Sequence, residues 1–478
     1  MTLGQKAFWF FLFFLIGVGV ASAGMSFLWV VLCATLFCCG AIFLAVLGGT
    51  KKWIALAVLV WMFVAGALYY QAYERTFLRN VTVVYGTSQE IEGRVVSHPR
   101  RTAASQEMII KTEQGNRIFV RLNPFISVSY ADTLLLNGKI SPLDEKTAYL
   151  KRGRVVGTML FPSLENHQKA LGASFVGSLY MVRDAFRDVL FKTLSYDNAS
   201  LMAGLLLGQE TAEFSSDFKD AMKRSGTTHL VALSGYNISI LVVAIATLMG
   251  FVTGRRGVFW VSILVILGFV IMTGAESSVV RAALMGLLIL SARMLSRVYN
   301  FGNSIVAAAF VMVLYNPTVL YFDVGFALSF LALLGIVYGA TPLVIFARSR
   351  GITSRVVEIF FETLCAQLAV LPILVVTFGS FSISGFLANV LLLPSIPFTM
   401  FVGALVAGVG VLLPAIAHFG AIFLGVVLSL QTDIIYLFGS FPVVEASGGL
   451  LFVFGYYVVL MCAFYLFLSY SRSYAHRF

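Results

Sequence analysis

The sequence predicts a polytopic α-helical membrane protein with about 12 transmembrane helices and an inserted extracytoplasmic small β-barrel of the OB-like type. Hydrophobic residues make up 59% and charged residues 12% of its 478 residues, with a mean hydropathy of +0.92. Soluble domains carry about 25% charged residues. Apolar stretches of about 20 residues, which suffice to cross a bilayer, recur along the chain. One segment near the N-terminus instead alternates apolar and polar residues, which is typical of strands.

The first three predicted spans lie near residues 7–23, 27–49 and 53–70. Lysines mark cytoplasmic helix ends, so Lys6 and the pair at 51–52 place the N-terminus and the loop between the second and third spans in the cytoplasm. The third helix then leads outward. The charge pattern therefore predicts a multi-pass protein of the plasma (inner) membrane, with residues 75–225 extracytoplasmic and both termini cytoplasmic.

Residues 90–160 alternate at period two, as in the run Ile118, Val120 and Leu122, and residues 113–116 suit a tight turn. About five short strands in so short a segment favour a small barrel of the OB type. An SH3-like barrel would give nearly the same pattern, and both remain open at this point.

From Leu171 the apolar residues recur every three or four positions, which predicts an amphipathic helix on the membrane surface or against the bundle. A second such helix carries Phe214, Phe218 and Met222 on one side, and serves either as a surface helix or as a gating element.

Basic loops in the second half set the alternation of the remaining spans. Pro394 and Pro397 should break one of them, because proline removes a backbone donor. The predicted spans are 229–250, 257–274, 278–296, 302–315, 321–345, 356–378, 383–413, 415–440 and 449–471. The predicted division is 1–75 (N-terminal helices), 76–165 (β-domain), 166–226 (surface helices) and 227–478 (channel domain).

Polar side chains inside these spans are costly in lipid, and they usually mark a transport pathway or a polar helix contact. Four clusters contain them, and we predict as transport-pathway residues His229, Ser234, Asn237, Glu276, Ser278, Arg281, Asp323, Gln367 and Asn389. Structural alternatives stay open: a backbone-bonded interfacial histidine, a Glu276–Arg281 ion pair, a helix cap at Asp323, and close helix packing around Asn389.

No cluster has the spacing of a metal site or of a nucleophilic triad, and the five histidines are scattered. All five cysteines lie in apolar segments, where a thiol behaves as a small hydrophobe. We therefore predict no metal, no cofactor and no catalytic residue. No ATP-binding motif is present, so energy would come from a partner or from a gradient.

Four ordered motifs resemble the signatures of the ComEC family of competence proteins. The motifs are GLLLG (204–208) with SGTTHLVALSGYNISI (225–240), TGAESSVVRAALM (273–285), NPTVLYFDVGFALSF (316–330) and QLAVLPILVVTFGSFSISGFLANVLLLP (367–394). The resemblance implies a channel that moves single-stranded DNA through the inner membrane during natural transformation.

The chain departs from the family pattern in two respects. Members commonly have a histidine in the first signature, where this chain has Tyr236 and Asn237, which weakens any proton-relay or metal role there. Larger members append a metallo-β-lactamase-like domain, whose HxHxDH pattern does not occur here. We therefore expect a non-enzymatic short form that acts with a separate DNA receptor, a nuclease and a cytoplasmic motor. A homo-oligomer is left open.

A single strand needs cations for its phosphates and aromatic faces for its bases. The β-domain offers both, and its predicted DNA-binding residues are Arg94, Arg100, Arg101, Arg117, Arg121, Lys151, Arg152 and Arg154. However, residues 71–165 hold only 13 Lys and Arg against 9 Asp and Glu, so a purely structural barrel remains an alternative. For the whole protein, the alternative is a solute or lipid transporter on the same scaffold, and a membrane enzyme is disfavoured.

Overall fold

A computed structural model describes residues 3–24, 32, 35, 51–79, 81–102, 105–144, 147–170, 174–208, 212–232, 238 and 253–475. The chain divides into two compact units, residues 1–181 with 241–326 and residues 182–240 with 327–478. Each unit is described by itself.

The first two helices of the first unit make a close backbone contact. These helices are α1 (Leu3–Ser22), α2 (Lys51–Arg79), α7 (Arg255–Met272), α8 (Ser277–Met294), α9 (Phe301–Tyr315) and α10 (Val319–Phe322). A Cβ on Gly17 would lie only 1.9 Å from the carbonyl oxygen of Phe63, so the α1 and α2 backbones touch there. Helix α2 extends past its predicted end near residue 70, and Tyr73 and Phe77 stack along its extra turns.

The β-domain of the first unit is a closed five-stranded barrel, as predicted. Its strands are β1 (Ser88–Val95), β3 (Gln106–Thr112), β4 (Arg117–Leu122), β5 (Thr133–Pro142) and β6 (Val155–Leu160), with β2 (Arg100–Arg101) and β7 (Ser163–Gln168) added at β3 and β5. The order β1-β3-β4-β6-β5 closes through a β5–β1 pairing, and β4 and β6 run parallel. The parallel pair distinguishes this barrel from an SH3-like one, whose neighbouring strands are antiparallel. The OB-like prediction is therefore confirmed.

Alternation along β1, β3, β4 and β5 buries one face of each strand, as the sequence pattern predicted, whereas β6 is buried at every position but its last. Ile110, Ile118, Leu134 and Met159 point into the barrel and are fully buried. The predicted turn at 113–116 joins β3 to β4, and Gly115 there has a φ of 90°, a conformation that favours glycine. A short 3₁₀ turn (Ala148–Gly153) precedes β6.

The second unit is helical around one apolar core that includes Leu201, Met202, Phe218 and Leu428. Helix α3 crosses from the first unit into the second, and α11 does the same. The elements are α3 (Phe175–Thr193), α4 (Tyr196–Leu207), α5 (Ser216–Arg224), α6 (Thr228–Val231), α11 (Val324–Leu334), a π-helical turn (Gly335–Ala340), α12 (Thr341–Ser349), α13 (Arg355–Phe378), β8 (Ser380–Phe381), α14 (Ser384–Leu392), α15 (Ile396–Leu412), α16 (Pro414–Gly439), β9 (Val444–Glu445) and α17 (Leu450–Ala475).

Among the described residues, seven helices are long and apolar enough to cross a membrane. The pair α14 and α15 makes eight if it is counted as one span, and it is bent by 56° at the segment that contains Pro394 and Pro397, where the sequence predicts a broken helix. Two shorter apolar helices, Phe301–Tyr315 and Leu451–Phe467, coincide with further predicted spans. The two remaining predicted spans, near 27–49 and 229–250, lie largely outside the described residues.

Candidate functional site

A row of three cations crosses the outer face of the barrel. Arg94 on β1 is the cross-strand partner of Lys111 on β3, and Lys111 is the partner of Arg117 on β4. All three alternate with buried residues, so they point outward, and Arg94 and Lys111 are exposed. We call Arg94, Lys111 and Arg117 the basic row.

Like charges directly opposite each other destabilise a sheet. Arg117 relieves part of this cost, since its Nη1 donates to the carbonyl oxygen of Gly153 at 3.1 Å. An anion placed across the row would relieve the rest. Strands lie about 4.8 Å apart, so the three charges are close enough to face one short stretch of a polyanion.

The next two rows on the same face of the barrel differ from the basic row: the first is apolar, and the second pairs arginine with glutamate. Ile109 and Phe119 are cross-strand partners in the next outward row. In the row after that, Arg121 donates to Oε1 of Glu107 from Nη2 at 2.6 Å and from Nε at 3.1 Å. Arg100 also lies opposite Glu107. This carboxylate therefore offsets part of the positive charge of two predicted DNA-binding arginines.

The basic turn, Lys151 to Arg154, lies against the helices of the same unit. Lys151 Nζ lies 4.8 Å from the ring centroid of Phe322, and the Arg154 guanidinium lies 5.0 Å from the ring centroid of Tyr315. Arg154 also donates to the carbonyl oxygen of Tyr315 at 2.5 Å. The cations of this turn thus contact protein groups that the sequence did not place near them.

Backbone carbonyl groups of the basic turn also accept hydrogen bonds from side chains of the helical part of this unit. Asn316 Nδ2 donates to the carbonyl oxygen of Arg152 at 2.7 Å, and Thr318 Oγ1 donates to that of Lys151 at 3.2 Å. Arg152 Nη1 lies 3.4 Å from Oδ1 of Asp323. The turn therefore attaches the barrel to the segment that links α9 to α11.

Asp323 joins two of the predicted polar clusters. Its carboxylate is 3% exposed and accepts from the Ser277 hydroxyl and from the Phe326 backbone N–H. The bond to Phe326 makes Asp323 the N-cap of α11. Ser277 belongs to the second cluster, beside Glu276 and Ser278, which are half-buried, so the second and third signatures meet at this carboxylate.

The first and fourth signatures meet in the second unit. Gly226 has a φ of 66°, and a Cβ on Gly385 would lie 2.8 Å from the carbonyl oxygen of Ser225 and 3.1 Å from the Gly226 Cα. Ser382 Oγ accepts from the Gly385 backbone N–H at 3.1 Å and orders this contact. Two backbones thus touch where only glycines fit.

A sequence model of the family described as competence protein matches residues 205–470, which is more than half of the 478-residue chain. The chain belongs to the competence protein family. It is 32% identical over 206 residues to ComE operon protein 3 of Bacillus subtilis (strain 168). That match covers 42% of this chain and about a quarter, 25%, of the relative's length. No solved structure matches the chain.

In this competence protein the remaining predicted pathway residues occupy separate positions. The His229 Nδ1 lies 3.0 Å from the carbonyl oxygen of Gly226, which can only accept, so this nitrogen donates. Asn389 on α14 is 1% exposed, Gln367 on α13 is half-buried, and Arg281 on α8 is buried. Ser234 and Asn237 lie outside the described residues.

Sequence reasoning missed a polar contact that spans the broken helix. Gln431 on α16 donates from Nε2 to Ser395 Oγ at 2.7 Å and to Thr399 Oγ1 at 2.8 Å. Those hydroxyls donate in turn to the carbonyl oxygens of Leu392 and Ser395. The sequence did carry a signal for this contact, because Gln431 places an amide within the apolar run of the predicted 415–440 span. Lys111 was missed too, although it occupies an outward position of its strand.

No group of three or more His, Cys, Asp or Glu residues able to hold a metal ion occurs within the described part of the chain. The features that stand out chemically are therefore the basic row, the attached basic turn and the buried polar contacts between signatures.

Proposed function

We propose that this competence protein is an inner-membrane channel that moves single-stranded DNA into the cytoplasm during natural transformation. The basic row is the observation that carries the proposal, because three outward cations on neighbouring strands favour a polyanionic ligand. Membership of the competence family supports DNA as that ligand.

In this proposal the barrel lies outside the cytoplasm and both termini lie inside. The incoming strand crosses the outer barrel face, where Phe119 and Ile109 offer an apolar surface beside the basic row. The buried polar groups at Asp323 and around Asn389 belong to the route through the bilayer. Lys151, Arg152 and Arg154 hold the barrel on the helices and are not the first contacts of the strand.

The remaining steps of uptake belong to other proteins in this proposal. A separate receptor delivers the DNA, a nuclease degrades the other strand and a cytoplasmic motor draws the strand in. The chain itself takes no catalytic part.

The test is the salt dependence of binding by the full-length protein in nanodiscs of zwitterionic lipid. A labelled oligothymidylate should bind with an affinity that falls steeply with salt, with a slope near −2 in log–log form for three phosphate contacts, at about 0.7 per contact. Lys111→Gln should weaken binding and reduce the slope by roughly 0.7.

The matched control is Lys139→Gln, since Lys139 is an exposed lysine of β5 whose cross-strand partner is Ser88. This variant should leave both the affinity and the slope unchanged. Binding that is absent, or that ignores salt, would contradict the proposal and favour a solute or lipid transporter.

A further inference from the structure

The barrel carries large apolar side chains that are open to water. Phe125 is 92% exposed, Phe161 is 58% exposed and Leu160 is 56% exposed. Exposed aromatic residues that lie together usually mark a binding surface.

Strand register places these residues at one end of the barrel. β4 and β6 run parallel, with Arg121 paired to Leu160, and the Phe161 backbone N–H donates to the Arg121 carbonyl oxygen at 2.7 Å. Phe125 follows β4 after a short turn. We call Phe125, Leu160 and Phe161 the apolar tip.

The apolar tip is at the end of β4 that lies away from the basic turn. β4 begins at Arg117, which bonds the carbonyl oxygen of Gly153 beside the basic turn, and it runs away from that point. At about 3.3 Å per residue, its six residues separate the tip from the turn by roughly 20 Å.

Local structure holds the two rings outward. Asn123 accepts from the Phe125 backbone N–H through its side chain at 3.1 Å and from the Ile126 N–H through its carbonyl oxygen at 3.2 Å. Phe161 has a φ of 50°, in the left-handed region that non-glycine residues rarely adopt. This strain is retained at an aromatic residue whose ring is mostly exposed.

Positive charge lies beside the tip. The exposed Arg101 donates to Ser127 Oγ at 3.1 Å, within the loop that contains Phe125, whereas Arg121, in the last outward row of β4, is paired with Glu107. The same face then leads through Phe119 to the basic row. Aromatic rings flanked by arginines match unpaired bases, which stack on rings, better than they match an apolar protein surface.

We propose that the apolar tip is a stacking platform for the unpaired bases of an incoming single strand, with Phe125 and Phe161 as the stacking residues. This inference rests on the proposed function and assigns different parts of the DNA strand to different surfaces of the barrel. The tip binds bases without regard to charge, and the basic row binds phosphates.

The test again uses the full-length protein in zwitterionic nanodiscs, with a labelled oligothymidylate at several salt concentrations. Phe125→Ala and Phe161→Ala should each weaken binding roughly 5- to 150-fold, the range for loss of one stacked base. The salt slope should stay at its wild-type value, because no phosphate contact is lost. Phe125→Trp should retain the wild-type affinity.

Two controls separate the outcomes. Phe175→Ala, at an aromatic residue of α3 that is 66% exposed, should change nothing. Duplex DNA, whose bases are already stacked, should bind the tip variants and the wild type equally. Wild-type affinity in both tip variants would overturn the stacking platform while leaving the proposed function intact, and a wild-type protein that binds no single strand would overturn both.

Discussion

Asp323 is the acidic residue that links the barrel to the helices. Its buried carboxylate accepts from Ser277 and from the Phe326 N–H, whereas Arg152, with a side chain 47% exposed, lies at 3.4 Å. A buried hydrogen-bond donor that loses its acceptor lowers the free energy of unfolding more than the loss of a partly exposed ion pair does. The two partners of this ion pair should therefore not be equivalent on mutation.

Asp323→Ala should destabilise the protein by about 1–3 kcal/mol, since two donors lose their acceptor. Arg152→Ala should cost about 0–1 kcal/mol. Apparent melting temperatures of the two variants in detergent measure the difference. Equal losses in both variants would contradict this account of the carboxylate.

Asp132 has a comparable role inside the barrel. Its carboxylate is 3% exposed, lies 2.8 Å from Nε2 of His167, and accepts from the backbone N–H groups of Ser129 and Ala170. Burial raises the pKa of this carboxyl, but the bond to His167 and the two backbone bonds outweigh burial and hold the pKa below its ordinary value of 3.8.

A lowered folded-state pKa means that the ionised Asp132 stabilises the barrel above pH 3.8, and that this contribution is lost as the pH falls through the folded-state value. Hydrogen-exchange protection of β5 and β7 should therefore decrease as the pH falls below about 4. Asp132→Asn should lower this protection at neutral pH and remove the pH dependence. An unchanged pH profile in Asp132→Asn would refute the assignment.

Period-two alternation predicted the strands that carry the barrel arginines, but not which neighbours each arginine would contact. The basic row depends on register, which a single sequence does not give. The hydrogen bond from Arg154 to the Tyr315 carbonyl oxygen joins residues that are 161 positions apart, and no local sequence pattern predicts it. The sequence therefore named these cations as candidates without separating those that contact the helices from those on the open barrel face, and their binding of DNA stays a prediction.

At the scale of elements, the contact between the first and fourth signatures depends on two glycines. Gly385→Ala would place a methyl group 2.8 Å from the Ser225 carbonyl oxygen, where backbone must move. Overpacking of this kind costs typically about 1–3 kcal/mol. We expect a lower apparent melting temperature and less internalised DNA.

The matched control is Gly268→Ala on α7, where an added Cβ has no neighbour within 4 Å. Alanine favours a helix over glycine, so this variant should be neutral or slightly stabilising. If Gly385→Ala behaved like Gly268→Ala, close backbone contact between the signatures would not be needed.

The broken span shows what could be predicted of an element and what could not. Pro394 and Pro397 predicted the break between α14 and α15, because the helix loses donors there. The partner that contacts it, Gln431, lies on the next helix, and its bonds to Ser395 and Thr399 depend on how α15 and α16 pack. Hydropathy predicts that a helix exists but gives no information about its neighbours.

At the scale of the molecule, composition predicted a membrane protein and period-two alternation predicted an inserted OB-like barrel, and both features are confirmed. The four family signatures meet in pairs, the second with the third in one unit and the first with the fourth in the other. Signatures that are separated in sequence thus contact each other, as expected if they build one function.

The most direct test of DNA import is the amount of labelled DNA that becomes protected from external nuclease in living cells. A strain that lacks this gene should internalise none, and the wild-type gene and its Lys139→Gln variant should both restore uptake. The double variant Arg94→Gln, Lys111→Gln, expressed at the same level, should restore little. Normal uptake by the deletion strain would contradict the account.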